Sequence, residues 1–383
     1  MKPREPKHLV QLVDKRKNEG NYRQLSEMPA HMVDFSSNDF LGLARETEIE
    51  DAAHTLLSQY KLCSNGATGS RLISGNSKFY IDTEAYLSQI HQSAATLIFS
   101  SGYMANNGLL SSVPQSDDLI LFDELCHVSI REGIRLSRAT GIPFAHNDLN
   151  QLEALLKKST AEKYVVTESI FSMDGDLTPL MEMTELCEKH NAYLIVDEAH
   201  ATGVFGWGRV QELKLSQRIF ARIITFGKAI GTSGACIAGS QQLIEYLINF
   251  ARPLIYTTAL PSYVLARIRA AYAFIETHPE RIQDLHGRIA YFNQHAQSLP
   301  LIRNESAIHA LLCKGNEAVV DLSKHLNQHF FFVKPIRYPT VPKNTERIRI
   351  CLHTFNSTHE IDALIQSIRT WQEKYLLQAS EQM

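Results

Sequence analysis

The chain has 383 residues, 44% of them hydrophobic and 21% charged, which is enough apolar surface for two or three packed domains and excludes a disordered chain. Its 38 basic and 41 acidic side chains give a formal charge of -3, so there is no broad basic footprint for nucleic acid or anionic lipid. No apolar run approaches the roughly 20 residues of a membrane helix, and the opening Met1-Lys2-Pro3-Arg4-Glu5-Pro6 lacks the apolar segment of a secretory signal.

In chain order, residues 8–24 read as a polar lead-in helix ending near Gly20, followed by the turn-rich Ser36-Ser37-Asn38-Asp39-Phe40-Leu41-Gly42-Leu43. From about 94 to 240, short β-branched runs alternate with helical patterns. The expected strands are Thr96–Phe99, Leu119–Phe122, Tyr164–Thr167, Tyr193–Val196, Ile223–Phe226 and Cys236–Ala238. Near-continuous apolar strands are buried on both faces, which predicts a mostly parallel sheet flanked by helices. Asp148 with Gln151 reads as a capping box. It opens a helix with Leu149, Leu152, Leu155 and Leu156 on one face. A long helical stretch covers about 262–295. Ile348, Ile350 and Leu352 then alternate with Arg347, Arg349 and Cys351, a half-buried strand with both arginines opposite its apolar face. Ser357 and Glu360 cap a last helix with Ile361, Leu364, Ile365 and Ile368 inward.

The expected class is therefore α/β, with a smaller C-terminal α+β domain. The expected division is a helix and lead-in segment at 1–45, a large domain at 46–280 and a small one at 281–383. The six cysteines (Cys63, Cys126, Cys187, Cys236, Cys313, Cys351) are scattered, with no Cys-x-x-Cys pair. That argues against structural zinc and a disulfide framework, and predicts a reducing, cytoplasmic location.

Several side chains fall at the carboxyl ends of strands, where parallel α/β sheets bind ligands. Asp197-Glu198-Ala199-His200 follows Tyr193–Val196; Asp197 suits a site or, equally, a helix cap. Lys228 lies in Thr225-Phe226-Gly227-Lys228-Ala229-Ile230-Gly231, just after a buried strand and between glycines. That is an amine nucleophile's place rather than a surface lysine's. Ser101-Gly102-Tyr103-Met104-Ala105-Asn106 joins strand to helix, and is either a phosphate-binding helix start or a plain turn. His127 follows Leu119–Phe122, as ligand contact or helix cap. Ser172 follows Tyr164–Thr167, as site residue or ordinary turn serine.

Taken together, an amine, a carboxylate, a phosphate cradle and imidazoles suit pyridoxal phosphate. The cofactor needs an amine for its aldehyde, a carboxylate on its pyridinium nitrogen, donors for its phosphate and a group over its ring. Other readings lack their motifs. Asp-Glu-Ala-His also occurs in nucleic-acid helicases, but there is no Gly-Lys-Ser or Gly-Lys-Thr for a phosphate loop. Gly206-Trp207-Gly208 lacks the third glycine of a dinucleotide fold, and no H-E-x-x-H or G-x-S-x-G occurs. A non-catalytic paralogue on an enzyme fold is the remaining rival, opposed by the intact Lys228 and Asp197.

Four motifs in order resemble the α-oxoamine synthases, pyridoxal-phosphate enzymes of the aspartate-aminotransferase fold (fold type I), from Arg23 to about 370. They are Ser37–Leu43, Thr68-Gly69-Ser70-Arg71-Leu72-Ile73-Ser74-Gly75, Asp197-Glu198-Ala199-His200-Ala201-Thr202-Gly203 and Thr225-Phe226-Gly227-Lys228. Gly231–Cys236, Tyr256–Pro261 and Tyr338-Pro339-Thr340-Val341-Pro342 are most similar to the branch that makes 8-amino-7-oxononanoate for biotin synthesis. Branches making 2-amino-3-ketobutyrate, 5-aminolevulinate or 3-ketosphinganine are the alternatives.

The resemblance implies that Lys228 joins the cofactor aldehyde and later shuttles the α-proton, while Asp197 pairs the pyridine nitrogen. His127 stacks on the ring, and His200 and Ser172 reach its oxygen. Gly102, Tyr103 and Thr225 lie by ring or phosphate. Thr257 and Thr258 reach the phosphate from a neighbouring subunit, which implies a homodimer with shared sites. Asn38 and Arg349 hold the amino-acid carboxylate, for which a planar guanidinium is suited. Arg23 and Thr340 contact substrate. The implied substrates are L-alanine and a pimeloyl thioester, carried by coenzyme A or an acyl carrier protein. No metal is implied. One departure is Gly206-Trp207-Gly208-Arg209-Val210, which is shorter than the family's glycine loop and lacks its last glycine.

Overall fold

The computed structural model describes residues 5–62 and 65–381. Met1–Arg4 and Cys63 lie outside the described residues.

A two-residue strand β1 (Val33–Asp34) precedes the main sheet. That sheet contains β2 (Ala95–Phe99), β3 (Leu119–Asp123), β4 (Thr140–Phe144), β5 (Lys163–Glu168), β6 (Ala192–Asp197), β7 (Ala221–Thr225) and β8 (Ala235–Gly239). Its order is β2-β8-β7-β6-β5-β3-β4. Only β8 runs against its neighbours β2 and β7. All six expected strands are present. Successive residues of the central strands bury to opposite faces. Tyr164, Val166 and Ile195 join one apolar cluster, whereas Val165, Leu194 and Val196 join another. This double burial is why the strands read as unbroken apolar runs.

One strand escaped the sequence reading. Thr140-Gly141-Ile142-Pro143-Phe144 carries a glycine and a proline, and it lies at the sheet edge, beside β3 alone. Proline is tolerated there because its missing N–H costs no central ladder bond.

The smaller sheet is ordered β12-β13-β10-β9, from β9 (Leu301–Ile302), β10 (Ile308–Leu312), β12 (Pro335–Ile336) and β13 (Arg347–Cys351). β1 pairs in parallel with β11 (Phe331–Phe332), so an early segment is stitched to a late one. The expected helical stretch at 262–295 is two helices, Ser262–Thr277 and Glu280–His295, meeting at Pro279. The lead-in helix spans Lys7–Asn18 and buries none of its side chains.

Capping follows the sequence in one place and differs in another. Ser357 and Glu360 close a reciprocal box: Glu360 N–H donates to Ser357 Oγ (3.2 Å) and Ser357 N–H to Glu360 Oε2 (2.7 Å). Asp148 accepts from Gln151 N–H (2.9 Å), but the Gln151 side chain accepts from Ala145 N–H, holding the preceding turn instead. The arginine face of β13 is also covered rather than open. Arg347 is 6% exposed and pairs with Asp174.

Among the described residues, Cys126, Cys187, Cys236, Cys313 and Cys351 are free and buried. No group of metal-ligating side chains occurs among them, and no described helix is long and apolar enough to cross a membrane.

Candidate active site

The ends of β2, β3, β5, β6 and β7 open on one cavity of about 320 Å³, lined among others by Gly102, Tyr103, His127, Asp197, Thr225 and Lys228. Each residue arrives there for a local reason. Ser101 caps the helix Gly102–Ser112 by accepting from Met104 N–H (3.2 Å). This leaves the first-turn N–H groups of Gly102 and Tyr103 outside the helix ladder, as an anion site needs. A side chain at Gly102 would sit 2.6 Å from Thr225 Cγ2, so the helix start and the end of β7 can meet only at glycine.

Asp197 ends β6 with its carboxylate buried and doubly held. Oδ1 accepts from Ala199 N–H (2.9 Å) and Oδ2 from Asn106 Nδ2 (2.8 Å). Asn106 also donates to Ser129 Oγ (3.0 Å), which lies 2.8 Å from His127 Nδ1. Asp197 and the His127 ring are thus fixed through one amide. His127 N–H donates to Glu168 Oε1 (2.6 Å).

Lys228 donates from Nζ to His200 Nε2 at 2.8 Å. Burial pushes the Lys228 ammonium down to about 8, while Asp197 and Glu168 hold it from falling further. Burial likewise holds His200 neutral, with the Lys228, Arg349 and His127 charges acting in the same direction. Glu168 is pushed well up by burial and by the Asp197 charge. The amine and two acid–base groups around it are therefore poised away from their usual ranges, the pattern expected where protons move.

Arg349 and Asn38 form a second cluster. Arg349 donates from Nη2 to Asn38 Oδ1 and from Nε to the Ser172 carbonyl, both at 2.7 Å. Ser172 thus meets the site through its backbone, beside Arg349. The structure places the other expected residues apart from this cavity. Arg23 donates to Thr340 Oγ1 (3.3 Å), so these two sit together by the cis Tyr338-Pro339 bond. Thr257 and Thr258 lie in a separate cleft with Arg71 and Tyr80, and Ser100 is shared with the Lys228 cavity. The shortened glycine loop is tightly held. Gly208 (φ +124°) passes over Glu198, whose Oε1 accepts from Val210 N–H (2.9 Å), and Trp207 stacks on Tyr272 at 4.9 Å.

Sequence reasoning missed Asn106, Ser129 and Glu168. Glu168 carried a usable signal, because it ends a buried strand as Asp197 does. Asn106 stands four residues beyond Gly102, one turn into the helix Gly102–Ser112 that starts at the cavity.

The residues fit pyridoxal phosphate on the structure's own terms. A buried amine with a lowered pKa, a fixed carboxylate, a helix start with free N–H groups and a cradle closed to any side chain at Gly102 converge on one cavity. The aminotransferase class I and II family model matches residues 30–368. The chain belongs to that family and is a pyridoxal-phosphate-dependent enzyme of its fold. Within it, the 8-amino-7-oxononanoate synthase of Emericella nidulans is 39% identical over 381 residues, covering 92% of each chain. That of Chromohalobacter salexigens is 35% identical over 376 residues, covering 96% of each. The solved 8-amino-7-oxononanoate synthase of Francisella tularensis superposes with a TM-score of 0.78 at 27% identity, over 91% of this chain and 100% of that one. The serine palmitoyltransferase of Sphingomonas wittichii gives 0.88 at 24% identity over 96% and 98%, a likeness of fold alone.

Proposed function

We propose that the chain condenses L-alanine with a pimeloyl thioester, releasing carbon dioxide and the thiol and leaving 8-amino-7-oxononanoate. The observation that carries this reading is the Lys228 amine, buried beside Asp197 and His200 and next to a carboxylate fork of Arg349 and Asn38. The relatives of that name at 35–39% identity support the substrate pair.

Pyridoxal phosphate supplies an electron sink that lets the amino acid lose its α-proton. Asp197, locked by Asn106 and Ala199 N–H, would pair its carboxylate with the pyridine nitrogen. Lys228 Nζ takes the α-proton, a role that a pKa near the working pH favours. His127 would contact the cofactor ring, and the free N–H groups at Gly102 and Tyr103 would hold its phosphate. Arg349 grips the α-carboxylate, with its guanidinium plane set by Asn38 and the Ser172 carbonyl. His200, neutral and bonded to Nζ, keeps the amine aimed.

Thr257 and Thr258, set outside their own chain's cavity, serve the phosphate of a second copy, which makes the working unit a homodimer. Arg23 and Thr340 face the acyl substrate. The small domain comprises 281–383, and the buried free thiols suit a reducing cytoplasm.

The test adds L-alanine, glycine or L-serine to the cofactor-loaded protein and follows the absorption band, then supplies pimeloyl-coenzyme A and weighs the product. A spectral change with alanine and the mass of 8-amino-7-oxononanoate are expected. A response to glycine alone, or to serine alone, overturns the substrate assignment.

A further inference from the structure

His146 lies outside the cavity, and none of the roles above uses it. It sits in the turn after β4, between two carboxylates. Nδ1 faces Asp123 (3.0 Å to Oδ1, 3.1 Å to Oδ2) and Nε2 donates to Asp176 Oδ2 at 2.6 Å. An imidazole with an acceptor at each nitrogen has to carry both protons, so the group is an imidazolium. Burial opposes that charge, but the hydrogen bonds and charges of the two aspartates raise its pKa to about 10. Asp123 is itself buried at the end of β3 and accepts from Leu125 and Asn147 N–H groups, both at 2.9 Å. It is a fixed anchor. Asp176 belongs to a loop.

That loop, Phe171–Asp176, closes on itself through Phe171 N–H to Asp176 O (3.0 Å) and Gly175 N–H to Phe171 O (2.8 Å). The Phe171 ring meets the His146 ring edge-on at 4.4 Å. On its far side the loop meets β13 and β10. Asp174 pairs with Arg347, and the Ser172 carbonyl accepts from Arg349 Nε. Gly175 passes so close to the Ile308 carbonyl that a side chain there would collide with it. One loop is thus clamped by His146 from the main sheet while its carbonyl sets the Arg349 guanidinium.

We propose that His146 is a positioning residue for amino-acid binding: by bridging Asp123 and Asp176 it fixes the Ser172 carbonyl that orients Arg349. The inference rests on the reading that Arg349 holds the amino-acid carboxylate. It assigns to a residue outside the cavity a share of substrate affinity that it exerts through Arg349 alone.

The test is a double-mutant cycle of His146→Gln and Arg349→Lys in the cofactor-loaded protein, reading the apparent Kd of L-alanine by spectral titration. Cofactor affinity and Tm are measured alongside. His146→Gln is expected to weaken alanine binding by roughly tenfold or more, the scale of a lost charge-assisted hydrogen bond, with cofactor affinity kept. The double variant is expected to bind alanine no more weakly than Arg349→Lys alone, because both act at one guanidinium. Additive losses, or unchanged alanine binding in His146→Gln, overturn the proposal. If Arg349→Lys itself leaves alanine binding unchanged, the carboxylate reading fails instead, and this inference fails with it. Should His146→Gln not fold, Asp176→Asn removes one carboxylate at nearly constant size and is held to the same outcomes.

Discussion

At the scale of single residues, the chemistry turns on how far a side chain's charge is moved by its surroundings. Lys228 is the clearest case: burial disfavours its ammonium form, and a pKa of about 8 leaves a usable fraction of free amine near neutral pH. Only the neutral amine attacks an aldehyde. The rate at which cofactor-free protein takes up pyridoxal phosphate should therefore rise as pH increases through about 8 and level off above it. A surface lysine would still be climbing at pH 10. Stopped-flow absorbance across pH 6.5–10 measures this, and Lys228→Ala should abolish the covalent phase. Lys228 and Asp197 were legible because their types and their places after buried strands agree. Asn106 was not, because an asparagine one turn into a helix has no chemical signature. Its importance comes from Asp197, 91 positions later in the chain, which only folding brings within 2.8 Å.

At the scale of elements, the strands were legible and their edges less so. Six apolar runs became strands because both of their faces are covered, which leaves a one-dimensional trace. β4 left none, since an edge strand tolerates the glycine and proline that argue against it. Side-chain bridges between elements also leave no periodic mark, and the loop clamp of His146 is such a bridge. Its pH consequence has a definite sign. The imidazolium titrates near 6.5 when unfolded and at about 10 when folded. The folded state thus holds the extra proton between those values, so the clamp's stabilisation is complete below about 6.5 and lost as pH rises through 10. The Tm should fall from pH 7 to pH 10, and His146→Gln should flatten that part of the profile; calorimetry at matched ionic strength decides.

For the whole molecule, the division of labour between copies can be tested directly. If Thr257 and Thr258 complete a neighbour's site, a Lys228→Ala chain can still lend its threonines. A Thr257→Ala, Thr258→Ala chain keeps a sound lysine. Each variant alone should be nearly inactive, whereas a mixture unfolded and refolded together should regain turnover through hybrids holding one intact site. No recovery would place those threonines in service of their own chain. The sequence could not settle this, because Thr257 and Thr258 read alike whichever cavity they reach.

The parallel pairing of Val33–Asp34 with Phe331–Phe332 has a consequence for biogenesis. A nascent chain exposes its early strand long before the late one leaves the ribosome. The Asn38–Arg349 contact must wait equally long, since its partners are 311 positions apart. The lysine pocket, built from nearer neighbours, can take shape during translation, but the Asn38–Arg349 pair is completed only when synthesis is nearly over.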